Sequence, residues 1–259
     1  MLRVGDSADI LAARDIAVVR ADNPSPYTLE GTNTWLVGRD PCWIVDPGPD
    51  LPEHVDAVVR QAQARGGVGG IALTHGHLDH AGAVAPLLAR TGAPAPATRD
   101  DGDVLGPLTV VATGGHAPDH VVFVAGDVAF TGDAVLGRGS VFVAPGPGSL
   151  RGYLDALGRL RDLGLVLLCP GHGPPITDPT ERVDGYVAHR LERERALVAA
   201  LDDGLRSVDD LLDRVWADAP TGLRTAATIT LASHLGKLDE EGRLPDGVEE
   251  PVLPTLPTV

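Results

Sequence analysis

Short apolar runs separated by glycine- and proline-bearing turns fill the first two-thirds of the chain. Residues 16–20, 34–38, 42–46, 108–112, 120–125, 127–131 and 165–169 read as strands, and 69–74 is a further apolar run behind a glycine turn. Between them, 51–65, 80–91 and 149–163 carry helical patterning. Strands interleaved with helices in this way predict a layered α/β (α+β) architecture.

The pattern changes after Pro179. Residues 180–203 predict a charged amphipathic helix with Val183, Val187, Leu191, Leu197, Val198 and Leu201 as its apolar members. Gly204 ends it, and Ser207 opens a second helix to 217 with acidic residues in its first turn, which suits the helix dipole. A third helix spans 222–241, and the proline- and acid-rich tail 245–259 predicts extended chain or an edge strand. No internal repeat is present. The division expected is a domain at 1–178 and a helical C-terminal domain at 179–259.

The densest chemistry is Thr74-His75-Gly76-His77-Leu78-Asp79-His80, with three histidines and a carboxylate in six residues. Imidazole nitrogens and carboxylate oxygens are the ligands of zinc and similar divalent ions. The run follows a strand and precedes a helix, where open α/β sheets collect their chemistry. In extended chain, residues two apart point the same way, so His75 and His77 can grip one ion while Asp79 and His80 face a second. Two such ions would lie roughly 3.5–4 Å apart, bridged by a hydroxide.

Further donors stand at later strand ends: His116 in 113–120, Asp133 in 131–133, and His172 in 170–174. Each is flanked by glycine, which permits the sharp turns needed to reach a shared centre. One such residue alone reads as a satisfied turn; together they make a site.

The 259 residues suffice for one large core or a core with an appended domain. Twenty-one basic residues against 36 acidic ones give a net charge of −15, which argues against broad nucleic-acid binding. Aromatics are scarce, leaving few platforms for stacking bases. No apolar stretch is long enough for a membrane span, and the N-terminus lacks the apolar core of a signal peptide. Cys42 and Cys169 lie far apart with no CxxC, which fits reduced, buried thiols in a cytoplasmic protein.

The ordered set His75-x-His77-x-Asp79-His80, Gly115-His116, Thr131-Gly132-Asp133 and Gly171-His172-Gly173 resembles the metallo-β-lactamase-fold hydrolases over about residues 10 to 178. The resemblance implies a four-layer αββα sandwich with the site at one edge. It implies His75, His77 and His116 on one metal, Asp79, His80 and His172 on the other, and Asp133 bridging them. Residues 23–26, 29–35, 186–190 and 234–243 are similar to a narrower branch. That branch carries a small winged-helix-like domain and includes single-strand endoribonucleases and polyketide thioesterases.

The function expected is therefore metal-dependent hydrolysis by a hydroxide bridging two divalent ions. Zinc is favoured, and manganese or iron also suits mixed nitrogen and oxygen donors. Asp79 is expected to bind metal and orient the hydroxide. An acyl substrate, above all a thioester, is preferred to single-stranded RNA; di-iron redox chemistry and a non-catalytic metal-binding module stand further off. His189 is read either as a proton donor or anion-binding residue over the pocket, or as an ordinary surface histidine, and Arg138 has similar standing. His120 is read as a core histidine and Asn33 as a turn-holding residue. The acidic C-terminal helices argue against a DNA-reading role and for a pocket wall or a homodimer contact.

Overall fold

Alternate residues of each strand face opposite layers, and this alternation builds the molecule. The computed structural model describes residues 4–97 and 99–253. The first sheet runs β1 (Ile16–Arg20), β2 (Asn33–Val37), β3 (Cys42–Val45) and β4 (Val68–Ala72), antiparallel except for the parallel β3/β4 pair. The second runs β5 (Val104–Leu105), β6 (Leu108–Ala112), β7 (Val121–Ala125), β8 (Val128–Gly132) and β9 (Leu167–Pro170), antiparallel except for the parallel β8/β9 pair.

Trp35, Val37 and Val45 of the first sheet pack against Leu108, Val110, Phe123 and Phe130 of the second, with the Trp35 and Phe130 rings 6.1 Å apart. The intervening residues face outward. Leu36, Ile44 and Ile71 meet Val55, Val58 and Val59 of α2 (Pro52–Gln63) and Leu87 of α4 (Val84–Thr91). Val111, Val122, Ala129 and Leu168 meet Leu150, Tyr153 and Leu157 of α5 (Ser149–Asp162) and Val183 and Tyr186 of α6 (Pro179–Asp202). The layers are therefore helix, sheet, sheet, helix, as expected.

Two elements, α1 (Val4–Ala13) and the two-residue β5, were not expected from the pattern. The helix expected over 80–91 is divided into α3 (Leu78–Ala81) and α4. The cause is tertiary: Gly48 N–H donates to the His80 carbonyl and Ala83 N–H donates to the Gly48 carbonyl, so another loop docks into the break. A Cβ on Gly82 would lie 2.6 Å from the Leu78 carbonyl oxygen and 2.9 Å from Asp50 N, so only glycine fits there.

Helix α6 takes part in two cores. Its first half packs on the sandwich, while Leu197, Ala200 and Leu201 join Leu211, Leu212 and Val215 of α7 (Val208–Val215) and Leu231, Leu235 and Leu238 of α8 (Arg224–Glu240). The expected apolar face of this helix needs correction. Leu191 is 41% exposed, and Arg190 and Glu194 are buried instead. Glu194 is accommodated by Lys237 at 2.9 Å and Arg243 at 3.0 Å, so its charge is paired rather than stranded. Among the described residues after Pro179 there is no strand, so no β-wing is present in them. The tail over 245–253 is likewise without a strand, tied down by Glu249 N–H donating to the Arg206 carbonyl; residues 254–259 lie outside the described residues. Both cysteines are buried and unpaired. No helix among the described residues is long and apolar enough to cross a membrane.

Candidate metal centre

The C-terminal ends of β3, β4, β6, β8 and β9 open on one edge of the sandwich, and each delivers a side chain to it. After β4 come His75, His77, Asp79 and His80; after β6, His116; after β8, Asp133; after β9, His172. The sheets are stitched together at this edge. Val121 N–H donates to the Thr74 carbonyl and Asn33 N–H to the Gly171 carbonyl. The Asn33 side-chain amide donates to the Pro170 and Gly173 carbonyls, fixing the turn that carries His172.

The expected donors converge. His75, His77 and His116 form one group, Asp79, His80 and His172 another, and Asp133 stands with His75 and His80; within each group the ligand atoms lie within 4.8 Å of one another. The His77 Nδ1 is 3.0 Å from His75 Nε2 and 3.1 Å from His116 Nε2. The His172 Nε2 is 3.1 Å from Asp79 Oδ2 and 3.3 Å from His80 Nε2. Asp133 reaches both sides, with Oδ2 3.5 Å from His116 Nε2 and Oδ1 3.4 Å from His172 Nε2.

The outward-facing ring nitrogens explain which lone pairs point inward. Thr74 Oγ1 donates to Asp46 Oδ2 at 2.7 Å, so it accepts from His75 Nδ1–H at 3.0 Å and leaves His75 Nε2 bare. His80 Nδ1–H donates to the same Asp46 oxygen at 2.9 Å, and His116 Nδ1–H to the Phe142 carbonyl at 3.3 Å. Fixing one nitrogen this way orients the other as a ligand. Asp46 is the functional residue that the sequence reading missed. It sits at the end of β3 before Pro47-Gly48, the same strand-end, glycine-flanked setting as Asp133, and that was the available signal.

The electrostatics divide the site. Burial, reinforced by His80 and neighbouring histidines, holds His75 well below the ordinary histidine range. Burial likewise lowers His116 to about 4. Burial also opposes charge on His80 and His172, but the carboxylates outweigh it: Asp79, Asp133 and Asp46 raise His80, and Asp133 with Asp79 raises His172 to about 9. Burial pushes the Asp79 and Asp133 carboxyls up, yet His80 and His172 outweigh it and keep both ionised well below the ordinary carboxylate range.

A cavity of about 320 Å³ opens over these donors, and His77, Asp79, His116, Asp133 and His172 line it. Its walls are mostly apolar, from Leu29, Leu78, Leu136, Val141 and Phe142, with Leu223 and Ala226 from the C-terminal region. Arg138 also lines it and is ion-paired with Glu30. His189 does not line this cavity. It lines a neighbouring one, on the far side of the segment 139–142. His120 is fully buried and binds two partners, Thr113 Oγ1 at 2.8 Å through Nδ1 and the Asp133 N–H at 3.1 Å through Nε2.

Known proteins resemble this chain in sequence and in fold. The sequence pattern of the Metallo-beta-lactamase superfamily matches residues 27–108 and 96–172. A Beta-lactamase-like protein 2 homolog from Caenorhabditis elegans is 32% identical over 247 residues, covering 85% of this chain and 82% of its own. An atrochrysone carboxyl ACP thioesterase from Aspergillus chevalieri is 35% identical over 205 residues, 71% of this chain and 64% of its own length. The crystal structure of the metallo-beta-lactamase family protein TTHA1429 from Thermus thermophilus superposes with a TM-score of 0.68 at 26% identity, over 88% of this chain and 94% of that one. TTHA1623, solved in a di-iron-bound form, superposes with a TM-score of 0.51 at 30% identity, over 64% of this chain and 96% of its own. Fold, ordered donors and relatives agree that this chain belongs to the metallo-β-lactamase superfamily and is one of its hydrolases.

Proposed function

We propose that the chain is a dinuclear metal-dependent acyl hydrolase whose substrates are thioesters. The observation that carries this reading is the pairing of the donor cluster with apolar walls in one cavity. An acyl chain is matched by Leu29, Leu78, Leu136 and Phe142. A phosphodiester backbone instead calls for unpaired cations beside the donors, and the arginine that lines this cavity, Arg138, is ion-paired with Glu30. The thioesterase relatives support the same substrate class.

The residues fit two divalent ions. The Nε2 atoms that His75 and His116 leave bare both face His77 Nδ1, at 3.0 and 3.1 Å, which sets three imidazole nitrogens around one point where a cation fits. Asp133 Oδ1 is buried without a hydrogen-bond partner, as a carboxylate oxygen reserved for metal would be. A Cβ on Gly171 would lie 2.5 Å from His80 Cε1 and 2.8 Å from Asp133 Oδ1, so the glycine keeps the space beside the donors open. We assign His75, His77 and His116 to one ion, Asp79, His80 and His172 to the other, and Asp133 to both. Zinc is the ion proposed; TTHA1623, solved with two irons, supports a two-metal site of this type. Bound ions of this kind polarise an attacked carbonyl and make water a nucleophile at neutral pH.

The chain's own part is positioning. Asp79 lines the cavity and turns one carboxylate oxygen toward His80 and His172, which leaves it placed to accept a hydrogen bond from the attacking water and orient it. The apolar wall holds the acyl group and excludes bulk water, which strengthens charge stabilisation at the carbonyl. The test is to assay zinc- and manganese-loaded protein on a panel of acyl thioesters and on single-stranded RNA, with the Asp79→Ala protein alongside. Thioester turnover that the substitution abolishes, with RNA intact, is the expected result. RNA cleavage that the substitution abolishes, with thioesters untouched, would replace the acyl reading with a phosphodiester one.

A further inference from the structure

The segment 139–142 has different chemistry on its two sides. On one, the Phe142 ring lies 4.4 Å from that of His116, and its carbonyl accepts from His116 Nδ1. On the other, Arg190 donates to Ser140 Oγ at 2.8 Å and to the Val141 carbonyl. Behind it lies a second cavity of about 520 Å³ between α6, Trp216 and α8, sharing this segment, Leu223 and Ala226 with the metal cavity.

This second cavity is cationic in a chain of net charge −15. Arg182 donates to the Leu136 and Gly139 carbonyls, and Arg190 to the groups just named; among the described residues neither has a carboxylate partner. Arg193 is neutralised by Asp218 at 2.6 Å, and half-buried His189 stands beside it. Arg190 is 2% exposed and its Nε has no hydrogen-bond partner. One turn beyond Thr230, which lines the cavity, His234 is fully buried with both ring nitrogens unpartnered and its ring 6.0 Å from that of Trp216. A buried guanidinium without a counter-charge, as on Arg190, is costly, and a bound oxyanion offsets that cost.

We propose that this cavity is an anion subsite, which takes a carboxylate or phosphate group of the same substrate whose acyl bond is cut in the adjoining metal cavity. The link to the acyl bond rests on the hydrolase reading above; the anion preference does not. Two guanidinium groups beside an indole wall suit one oxyanion on a short apolar arm. They do not suit a polyanion, because Asp218 stands in the lining and α7 beyond it carries Asp209, Asp210 and Asp213. The oxyanion has two sources, a carboxylate on the acyl group or a phosphate on the thiol carrier.

Gly185 gives a gentle way to test it. It lines the cavity on an exposed position of α6, and a Cβ there meets nothing within 4 Å. Gly185→Glu adds a carboxylate one turn from Arg182 without replacing either arginine, and Gly185→Gln controls for bulk; both residues favour helix over glycine. The zinc-loaded full chain is assayed on S-butyryl-pantetheine, S-butyryl-4′-phosphopantetheine and S-succinyl-pantetheine. One charged thioester is expected to exceed the neutral one roughly tenfold in kcat/KM, a ratio that Gly185→Glu cuts severalfold and Gly185→Gln keeps. A phosphate winner assigns the subsite to the carrier, a succinyl winner to the acyl group. Equal kcat/KM for all three, or a preference indifferent to Gly185→Glu, overturns the proposal.

Calorimetric titration of the same zinc-loaded proteins with butyrate and with propyl phosphate, at about 0.15 M salt to screen distant charges, separates the two readings. Binding that Gly185→Glu weakens about fivefold and Gly185→Gln does not supports the subsite even if no thioester is hydrolysed, and in that case the acyl reading fails alone. Binding that is absent, or indifferent to Gly185→Glu, overturns the subsite.

Discussion

Asp46 Oδ2 lies 2.9 Å from His80 Nδ1, and the same carboxylate accepts the Thr74 N–H and hydroxyl at 2.7 Å each. One residue at the end of β3 thus orients His80 directly and His75 through Thr74. Asparagine has one acceptor oxygen where three donors need two, and its amide would face a donor. Asp46→Asn is expected to fold yet bind zinc about 10–100-fold more weakly, the usual cost of losing such an orienting partner. Competition against a chromogenic chelator measures it; wild-type affinity would remove the orienting role from Asp46.

Asp79 sits at the edge of the sandwich, outside the apolar clusters, so its loss should spare the fold. Asp79→Ala removes the carboxylate that faces the His80 and His172 ring nitrogens and the group assigned to orient the attacking water. Turnover is expected to fall by at least about 10³-fold, the scale of losing one preorganised charge-stabilising group, with the circular dichroism spectrum unchanged. Retained activity in metal-replete Asp79→Ala protein would sink the proposed mechanism.

The layers and the donors were legible because both are written locally. Alternation marks a strand such as β2, where Trp35 and Val37 face one way and Leu36 the other, and strand-end glycines mark the turns holding His116, Asp133 and His172. What escaped depends on distant partners. Asp46 acts on His80 across 34 positions, so its strand-end, glycine-flanked setting hints at a role without naming the partner. Hydropathy assigned Leu191 to the face of α6 that Arg190 and Glu194 occupy, because Lys237, the partner that makes burial of Glu194 tolerable, lies 43 positions on. The break between α3 and α4 comes from Gly48 docking there. His189, read either as a group acting over the pocket or as an ordinary surface histidine, lines the neighbouring cavity, with the segment 139–142 between it and the metal cavity.

His120, read from the sequence as a core histidine, is expected also to position Asp133. Because its Nε2 accepts the Asp133 N–H, its Nδ1 carries the hydrogen donated to Thr113 Oγ1. His120→Leu would leave a buried N–H without an acceptor, at a cost of about 1–3 kcal/mol, and loosen the residue assigned to both ions. Lower unfolding stability together with lower metal content is expected, and His120→Gln, whose side-chain oxygen can accept in place of Nε2, should recover part of both. Stability loss with full metal occupancy would mark His120 as structural only.

His234 gives a pH signature away from the metal centre. Burial first, then Arg190 and Lys237, pushes it from the ordinary 6.5 down to about 3. The folded protein therefore keeps the ring neutral, while the unfolded chain takes up a proton once the pH drops below about 6.5. The stability this group contributes is fully present above that pH and is lost as pH falls toward 3, at about 1.4 kcal/mol per pH unit. His234→Leu has no proton to bind and also removes two unpartnered buried nitrogens. Between pH 6.5 and 5 the variant is expected to gain about 2 kcal/mol on the wild type, because the other histidines titrate alike in both. Urea unfolding at matched pH values reads the difference directly, and parallel stability curves across that window would show that His234 is not held neutral in the fold.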